Sequence, residues 1–179
     1  TDYKDVRRVA IDETAAKRGH DYVSLFVDID KRRVMFVTEG RDAKTVEAFA
    51  DDLEAHNGDA SRIKQVCIDM SGAFIKGVTE NLTEAEITFD KFHAVKLVND
   101  AVDKVRRAES KGRPELKRSR YLWLRNEPSL SAESRTQLAA LTRLHLKTSR
   151  AYQLRLAFQE IYQQPTWEWG ALFLDRWYR

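Results

Sequence analysis

The order in which two hydrophobic periods alternate along the chain constrains its fold more than any other feature. Three runs rich in β-branched and aromatic residues come first, "RRVAIDE", "DYVSLFVDID" and "RRVMFVTEG". The second and third flank the polar stretch from Asp28 to Arg32, the pattern of a hairpin. "AKTVEAFADDLEAHNG" then places Val46, Phe49, Ala50 and Leu53 at i, i+3, i+4 and i+7, an amphipathic helix stopped by Asn57-Gly58. "IKQVCIDM" is a strand with little alternation, which predicts burial on both faces. "GAFIKGVTENL" reads as a short helix and "AEITFDKFH" as a fifth strand. "AVKLVNDAVDKVRRAE" follows with Val95, Val98, Val102 and Val105 on one helical face. The order β-β-β-α-β-α-β-α specifies an α/β chain with a mixed five-stranded sheet flanked by helices.

After Gly112-Arg113-Pro114 the character changes to helix alone. Ser131 can cap a helix bearing Leu138, Leu141 and Leu144, and Tyr152, Leu156 and Ile161 continue helical spacing up to Pro165. "TWEWGALFLDRWYR" is apolar on so much of its circumference that it calls for cover on several sides. The expected division is 1–110 for the sheet and its helices and 111–179 for a helical region. Trp123, Trp167, Trp169 and Trp177 are expected in the core of that region rather than as platforms for bases.

Composition excludes several classes. Hydrophobic residues make up 42% and charged residues 33%, as in an ordinary soluble globular protein. No run approaches the roughly 18 apolar residues of a membrane span, and a secretory h-region is lacking. The single cysteine, Cys67, lies in an apolar run, so no disulfide framework exists and a cytoplasmic location fits. It reads as a small core residue rather than a nucleophile. Charge is unevenly spread. Residues 1–103 carry 15 Lys/Arg against 21 Asp/Glu, a balance of −6; 104–120, "KVRRAESKGRPELKRSR", carry eight against two, or +6; and 121–179 carry eight against five, or +3. An acidic first part beside a basic stretch suits metal binding next to a polyanion-binding surface. On charge alone, a solvated helix end and loop explains the basic stretch equally well.

Two acidic residues stand where they are least welcome. Asp12 closes "VAID" and Asp69 closes "VCID", and a charge at the end of a buried strand is costly without a partner. In a mixed sheet with this element order, strands one and four are neighbours, so the two carboxylates meet at one sheet edge. Close carboxylates repel, and the pair is stable only with a proton or a cation between them. Hard oxygen ligands at one point suit Mg²⁺ or Mn²⁺. Singly, either aspartate is as well explained as a helix cap or turn residue; the matching endings on these two strands favour the metal pair.

These residues carry a resemblance. The strand order with Asp on strands one and four resembles the ribonuclease-H-like fold of DDE transposases and retroviral integrases. More specifically, "AIDETAAKRGHDYVSLFVDID", "VCIDMSGAFIKGV" and "ITFDKFHAVKLVNDAVDKVRR" look like the catalytic domain of bacterial insertion-sequence transposases of the ISL-three group. "LKRSRYLWLRNEPSLSAE" with "AYQLRLAFQEIY" resembles the helical region that interrupts the core in that group. The resemblance implies that Asp12 and Asp69 are the first two acids of the DDE triad and ligands of the metal. Asp90 and His93, in "DKFH", match an accessory Asp-x-x-His signature, although Asp90 also fits a helix cap with His93 anchoring the first turn. The family's third acid, a Glu in an Asn-Gly-x-x-Glu-Gly context, has no counterpart here and is expected beyond Arg179. Glu160 lies in the segment matching the insertion and is not assigned. The chain thus reads as a fragment of a longer transposase.

The chemistry implied is metal-dependent strand cleavage and transfer of an insertion sequence. Two Mg²⁺ or Mn²⁺ ions roughly 3.5–4 Å apart serve an in-line displacement at phosphorus. Double-stranded DNA is the implied partner, with a homo-oligomer expected for the full-length enzyme and no membrane association. Arg106, Arg107, Lys111, Arg113, Lys117, Arg118 and Arg120 are the candidates for phosphate contacts. With two acids of three, the fragment alone is expected to be inactive or nearly so. Competing motifs are lacking: there is no glycine-rich phosphate loop, and His20, His56, His93 and His145 show no metal-ligand spacing. Two alternatives stay open, a non-catalytic DNA-binding or assembly module and another ribonuclease-H-like nuclease.

Overall fold

The computed structural model describes residues 1–16 and 22–179; His20 and the "KRGHD" part of the matched segment lie outside the described residues. Within them the chain divides into two compact units, Thr1–Ala94 and Val95–Arg179.

The first unit holds all five strands: β1 (Arg8–Ala15), β2 (Tyr22–Asp28), β3 (Arg33–Glu39), β4 (Gln65–Ile68) and β5 (Glu86–Phe89). Their spatial order is β3-β2-β1-β4-β5. The first three pair antiparallel, as short connections require, whereas β1–β4 and β4–β5 are parallel, each reached through a helical crossover. Those crossovers carry α1 (Ala43–Ala55) and α2 (Gly72–Asn81). Val46, Phe49 and Leu53 of α1 and Phe74 and Val78 of α2 pack with Val9, Ile11, Phe26, Val66 and Ile68 of the sheet in one cluster. Phe26 and Phe49 stack with ring centroids 4.4 Å apart.

The ends of α1 are where the sequence puts them. Asp42 accepts from the Lys44 amide at 3.1 Å to open it. At the other end Asn57 has φ of 62° and the Gly58 amide donates to the Leu53 carbonyl at 2.8 Å, closing the helix with the αL residue such a stop needs. One expectation is corrected. β4 is buried on one face only, for Val66 and Ile68 are fully buried whereas Cys67 between them is half-buried. An unbroken apolar run does not reveal that one of its faces belongs to a sheet surface bearing acids.

The second unit contains most of α3 (Lys91–Glu109), then α4 (Arg120–Leu124), α5 (Ala132–Thr142), α6 (Lys147–Glu160) and α7 (Trp167–Tyr178), with no strand among its described residues. Its core gathers Val102 of α3 with Leu116, Trp123, Leu138, Leu141, Leu146 and Tyr152. Trp123 is the tryptophan that fills this core, and its indole N–H donates to Ser119 at 3.0 Å. The other three depart from expectation. Trp167 and Trp169 are exposed, α7 has no buried residue, and Trp177 holds on through an indole N–H bond to the Leu154 carbonyl at 2.8 Å.

The N-terminus of α6 is closed from a distance. Leu146 at the cap position has no acceptor, and the Glu109 carboxylate accepts from the Lys147 amide at 2.9 Å and the Thr148 amide at 2.8 Å. No helix among the described residues is long and apolar enough to cross a membrane.

Candidate active site at the ends of parallel strands

Strand register brings three carboxylates to one level. Ala10 pairs with Cys67 and Cys67 with Thr88. Two residues further along each strand stand Asp12, Asp69 and Asp90. The step is kept on β5, because the Asp90 amide still donates to the Ile68 carbonyl at 2.8 Å. The paired residues run as far as Ala10–Cys67 and Ile68–Phe89; continued by this step, with strands about 4.8 Å apart, the register would set Asp69 between the other two aspartates.

Alternation also fixes the face. Val9, Ile11, Val66 and Ile68 point into the core, so Ala10, Asp12, Cys67 and Asp69 share the opposite surface. The Cys67 thiol reports this neighbourhood. Burial raises its pKa first, and the charges of Asp90 and Asp12 raise it further against a hydrogen bond with Thr88. A pKa raised this way makes the thiol a poorer nucleophile.

Each carboxylate is turned onto its own local backbone. Asp12 Oδ1 accepts from the Glu13 amide at 2.9 Å, and Asp69 Oδ1 from the Ser71 amide at 2.9 Å, just ahead of α2. Asp90 Oδ1 accepts from the Phe92 amide at 2.7 Å, and its Oδ2 lies 3.1 Å from His93 Nδ1. The Asp-x-x-His pair is therefore in contact, with Asp90 also opening α3. For Asp12 and Asp69 these backbone bonds engage Oδ1, and a carboxylate's second oxygen is a hard donor of the kind that a divalent cation takes. No group of three or more His, Cys, Asp or Glu close enough to hold a metal occurs among the described residues.

The seven basic residues expected to contact phosphates all lie in the helical unit, and they are not equivalent. Arg106, Arg107 and Arg120 converge on the buried Asp103, at 2.7, 2.8 and 3.5 Å. Burial works against the Asp103 carboxylate, but the hydrogen bond and charge of Arg106 and the charge of Arg107 outweigh it and hold its pKa below the ordinary value. Arg106 is committed to the fold, its side chain only 11% exposed and bonded to the Leu116 carbonyl as well. Arg113 faces Glu115 at 3.5 Å. Lys111, Lys117 and Arg118 are exposed and have no ion pair among the described residues. The Asp103 cluster was overlooked in the sequence, although its i, i+3 and i, i+4 spacing to Arg106 and Arg107 is a legible ion-pair pattern.

A mixed five-stranded sheet in this order, with Asp12 within β1 and Asp69 and Asp90 just past β4 and β5, has the strand arrangement expected of a ribonuclease-H-like domain. The family model for DDE transposases of the ISL3 group, described as transposase, matches residues 9–179, and the chain belongs to that family. It is 33% identical over 176 residues to the transposase of insertion sequence element IS1001 from Bordetella parapertussis, covering 93% of this chain and 43% of that protein. It is 28% identical over 203 residues to the transposase of insertion sequence element IS1557 from Mycobacterium tuberculosis, covering 98% of this chain and 45% of that protein. The chain thus spans less than half the length of these curated relatives. Among solved structures it is similar to the HTLV-2 integrase catalytic core domain in complex with magnesium, at 14% identity and a TM-score of 0.38 over 81% of this chain and 91% of that one. So loose a superposition leaves the fold resting on the strand order and the family match.

Proposed function

We propose that the chain is the acid-bearing part of a DNA transposase that cuts and joins DNA strands at the Asp12–Asp69 edge. The alignment of those two residues across the parallel β1–β4 register carries this reading. Asp12 and Asp69 would hold Mg²⁺ or Mn²⁺ through the second oxygen of each carboxylate, and Asp90 with His93 supports that edge from β5. Bound divalent ions supply activation of a water or DNA 3′-hydroxyl and neutralise charge at the leaving oxygen.

The protein's own part is to present both carboxylates from rigid strands and to neutralise the DNA backbone. Lys111, Lys117 and Arg118 are best placed for phosphates, Arg113 next. Arg106, Arg107 and Arg120 act mainly through Asp103. Double-stranded DNA and, in the full-length enzyme, further copies of the chain are the partners.

Thermal melts of the parent and Asp69→Asn, each in chelator and in millimolar Mn²⁺, test this. Asparagine keeps an oxygen for the Ser71 amide, so the turn before α2 survives while one charge leaves. The variant should be as stable as the parent in chelator, or more stable by about 1 kcal/mol. Mn²⁺ should raise the parent's Tm by mass action on the native state and move the variant much less. A variant that is weaker in chelator and equal to the parent in its Mn²⁺ response would make Asp69 a turn residue and end the metal-pair reading.

A further inference from the structure

The acid edge is bordered by apolar side chains that no core claims. Met70 follows Asp69 and is 37% exposed, Phe89 precedes Asp90 at 48%, and Phe92, two residues after Asp90, stands 71% exposed. Phe92 is also the best fixed of the three. Its amide is bonded to Asp90 Oδ1 at 2.7 Å. Its ring meets that of His93 edge-on, with centroids 5.6 Å apart and planes at 90°, and His93 is in turn held by Asp90 Oδ2. One carboxylate at the acid edge thus orients, through its cap contact and through the imidazole, an aromatic ring most of whose surface faces solvent.

Resting on the transposase reading, we infer that Phe92 is a positioning residue that stacks on a nucleobase displaced from the duplex beside the phosphate being cut. Cutting and joining leave a broken backbone, beside which a base is held in the stack less firmly, and taking a base out of the stack costs least where it is already unpaired. An aromatic face returns the lost stacking whichever base it is. The three carboxylates repel phosphate unless cations intervene, so the apolar ring beside them is the surface suited to the uncharged base. A rigid helix start also places the ring reproducibly, where a loop would not.

The test uses the 179-residue chain and two duplexes of identical sequence, one fully paired and one with a 2-aminopurine in a single-nucleotide bulge. Affinity and 2-aminopurine fluorescence are read for the parent, Phe92→Ala, Phe92→Leu and Phe92→Trp, with circular dichroism confirming that each is folded. The parent should prefer the bulged duplex about tenfold or more, the scale of one base–aromatic stack, and change the probe's fluorescence on binding. Phe92→Trp should keep both effects, whereas Phe92→Ala and Phe92→Leu lose them with affinity for the paired duplex unchanged.

Equal affinity of the parent for both duplexes, or a preference that survives Phe92→Ala, overturns the inference and leaves the DNA reading standing. Failure to bind either duplex at low salt overturns the DNA reading and this inference with it, whatever the Mn²⁺ melts show. An altered sedimentation of Phe92→Ala with unchanged DNA preference would make Phe92 a contact between copies of the chain and overturn the inference too.

Discussion

At the scale of single residues, Asp103 serves stability, whereas Asp12 and Asp69 are proposed to serve chemistry. Asp103 sits buried among Arg106, Arg107 and Arg120. Removing its charge leaves Arg106, itself largely out of water, without a counter-ion. Asp103→Asn should therefore cost about 3 kcal/mol in urea unfolding, the scale of breaking a buried pair from one side. The more exposed Arg107 and Arg120 add little. The sign of the pH dependence follows from the depressed Asp103 carboxyl. A group whose folded pKa lies below its unfolded value contributes stability that is present above the unfolded pKa, about 3.9, and lost as pH falls through the folded one. The parent should lose stability on acidification below about pH 4, and Asp103→Asn should show a shallower loss there. An equal acid limb in both would remove Asp103 from the account. Asp12 and Asp69 were legible because each follows an apolar run, but the run does not mark the strand end: β4 stops at Ile68, just before Asp69, whereas β1 continues past Asp12 to Ala15 in its pairing with β2. Phe92 was not legible, since an exposed and a buried phenylalanine are written alike in an amphipathic helix.

At the scale of elements, local signals are legible in the sequence and distant ones are not. Helix α1 could be drawn from its i, i+3, i+4 and i+7 residues and its Asn-Gly stop. The start of α6 could not, because its cap, Glu109, lies 38 and 39 positions away from the amides it accepts from. The Val95-to-Val105 stripe of α3 was visible as a stripe, but periodicity does not name the core that Val102 joins. Gly77 shows a similar limit. Helix propensity alone says that Gly77→Ala stabilises α2 by about 1 kcal/mol. A Cβ at Gly77 would stand 2.8 Å from Val46 Cγ2 and 3.0 Å from the Ala43 carbonyl oxygen. One of those atoms belongs to the α1 backbone and cannot yield as a side chain does. Overpacking of this kind costs about 1–3 kcal/mol, so the clash wins and Gly77→Ala should lower the Tm. A raised Tm would mean that α1 and α2 move apart at little cost.

At the scale of the whole molecule, binding and chemistry should separate. With only two of the family's three acids assigned in the proposed reading, Asp12 and Asp69, this chain alone should neither nick nor join a plasmid in Mn²⁺ at an appreciable rate. Product formation at a rate typical of a complete transposase would show that a third ligand is already present. Binding to duplex DNA should still occur and should weaken steeply with salt. Replacing Lys111, Lys117 and Arg118 together by Gln should reduce the slope of log K against log[salt] by about 0.9 for each phosphate that is no longer neutralised. An unchanged slope would move the DNA-binding surface elsewhere. The family was readable over nearly the whole chain because its matched segments fall in both the sheet unit and the helical unit. The roles of the basic residues were not readable, because a net charge of +6 over 104–120 does not distinguish an arginine spent on Asp103 from one free in solvent.

The parity of β4 makes the greasy side of the sheet a ruler for the polar side. Val66 and Ile68 are locked into the core, each at a cost of about 1.5–3 kcal/mol to expose, and Asp69 faces outward because it stands one place beyond Ile68. Sliding β4 by a single residue would send Asp69 inward and Ile68 outward together. A misaligned acid is therefore never a small error of aim. It is a misfolded sheet, so the hydrophobic core proofreads the placement of carboxylates that it does not touch.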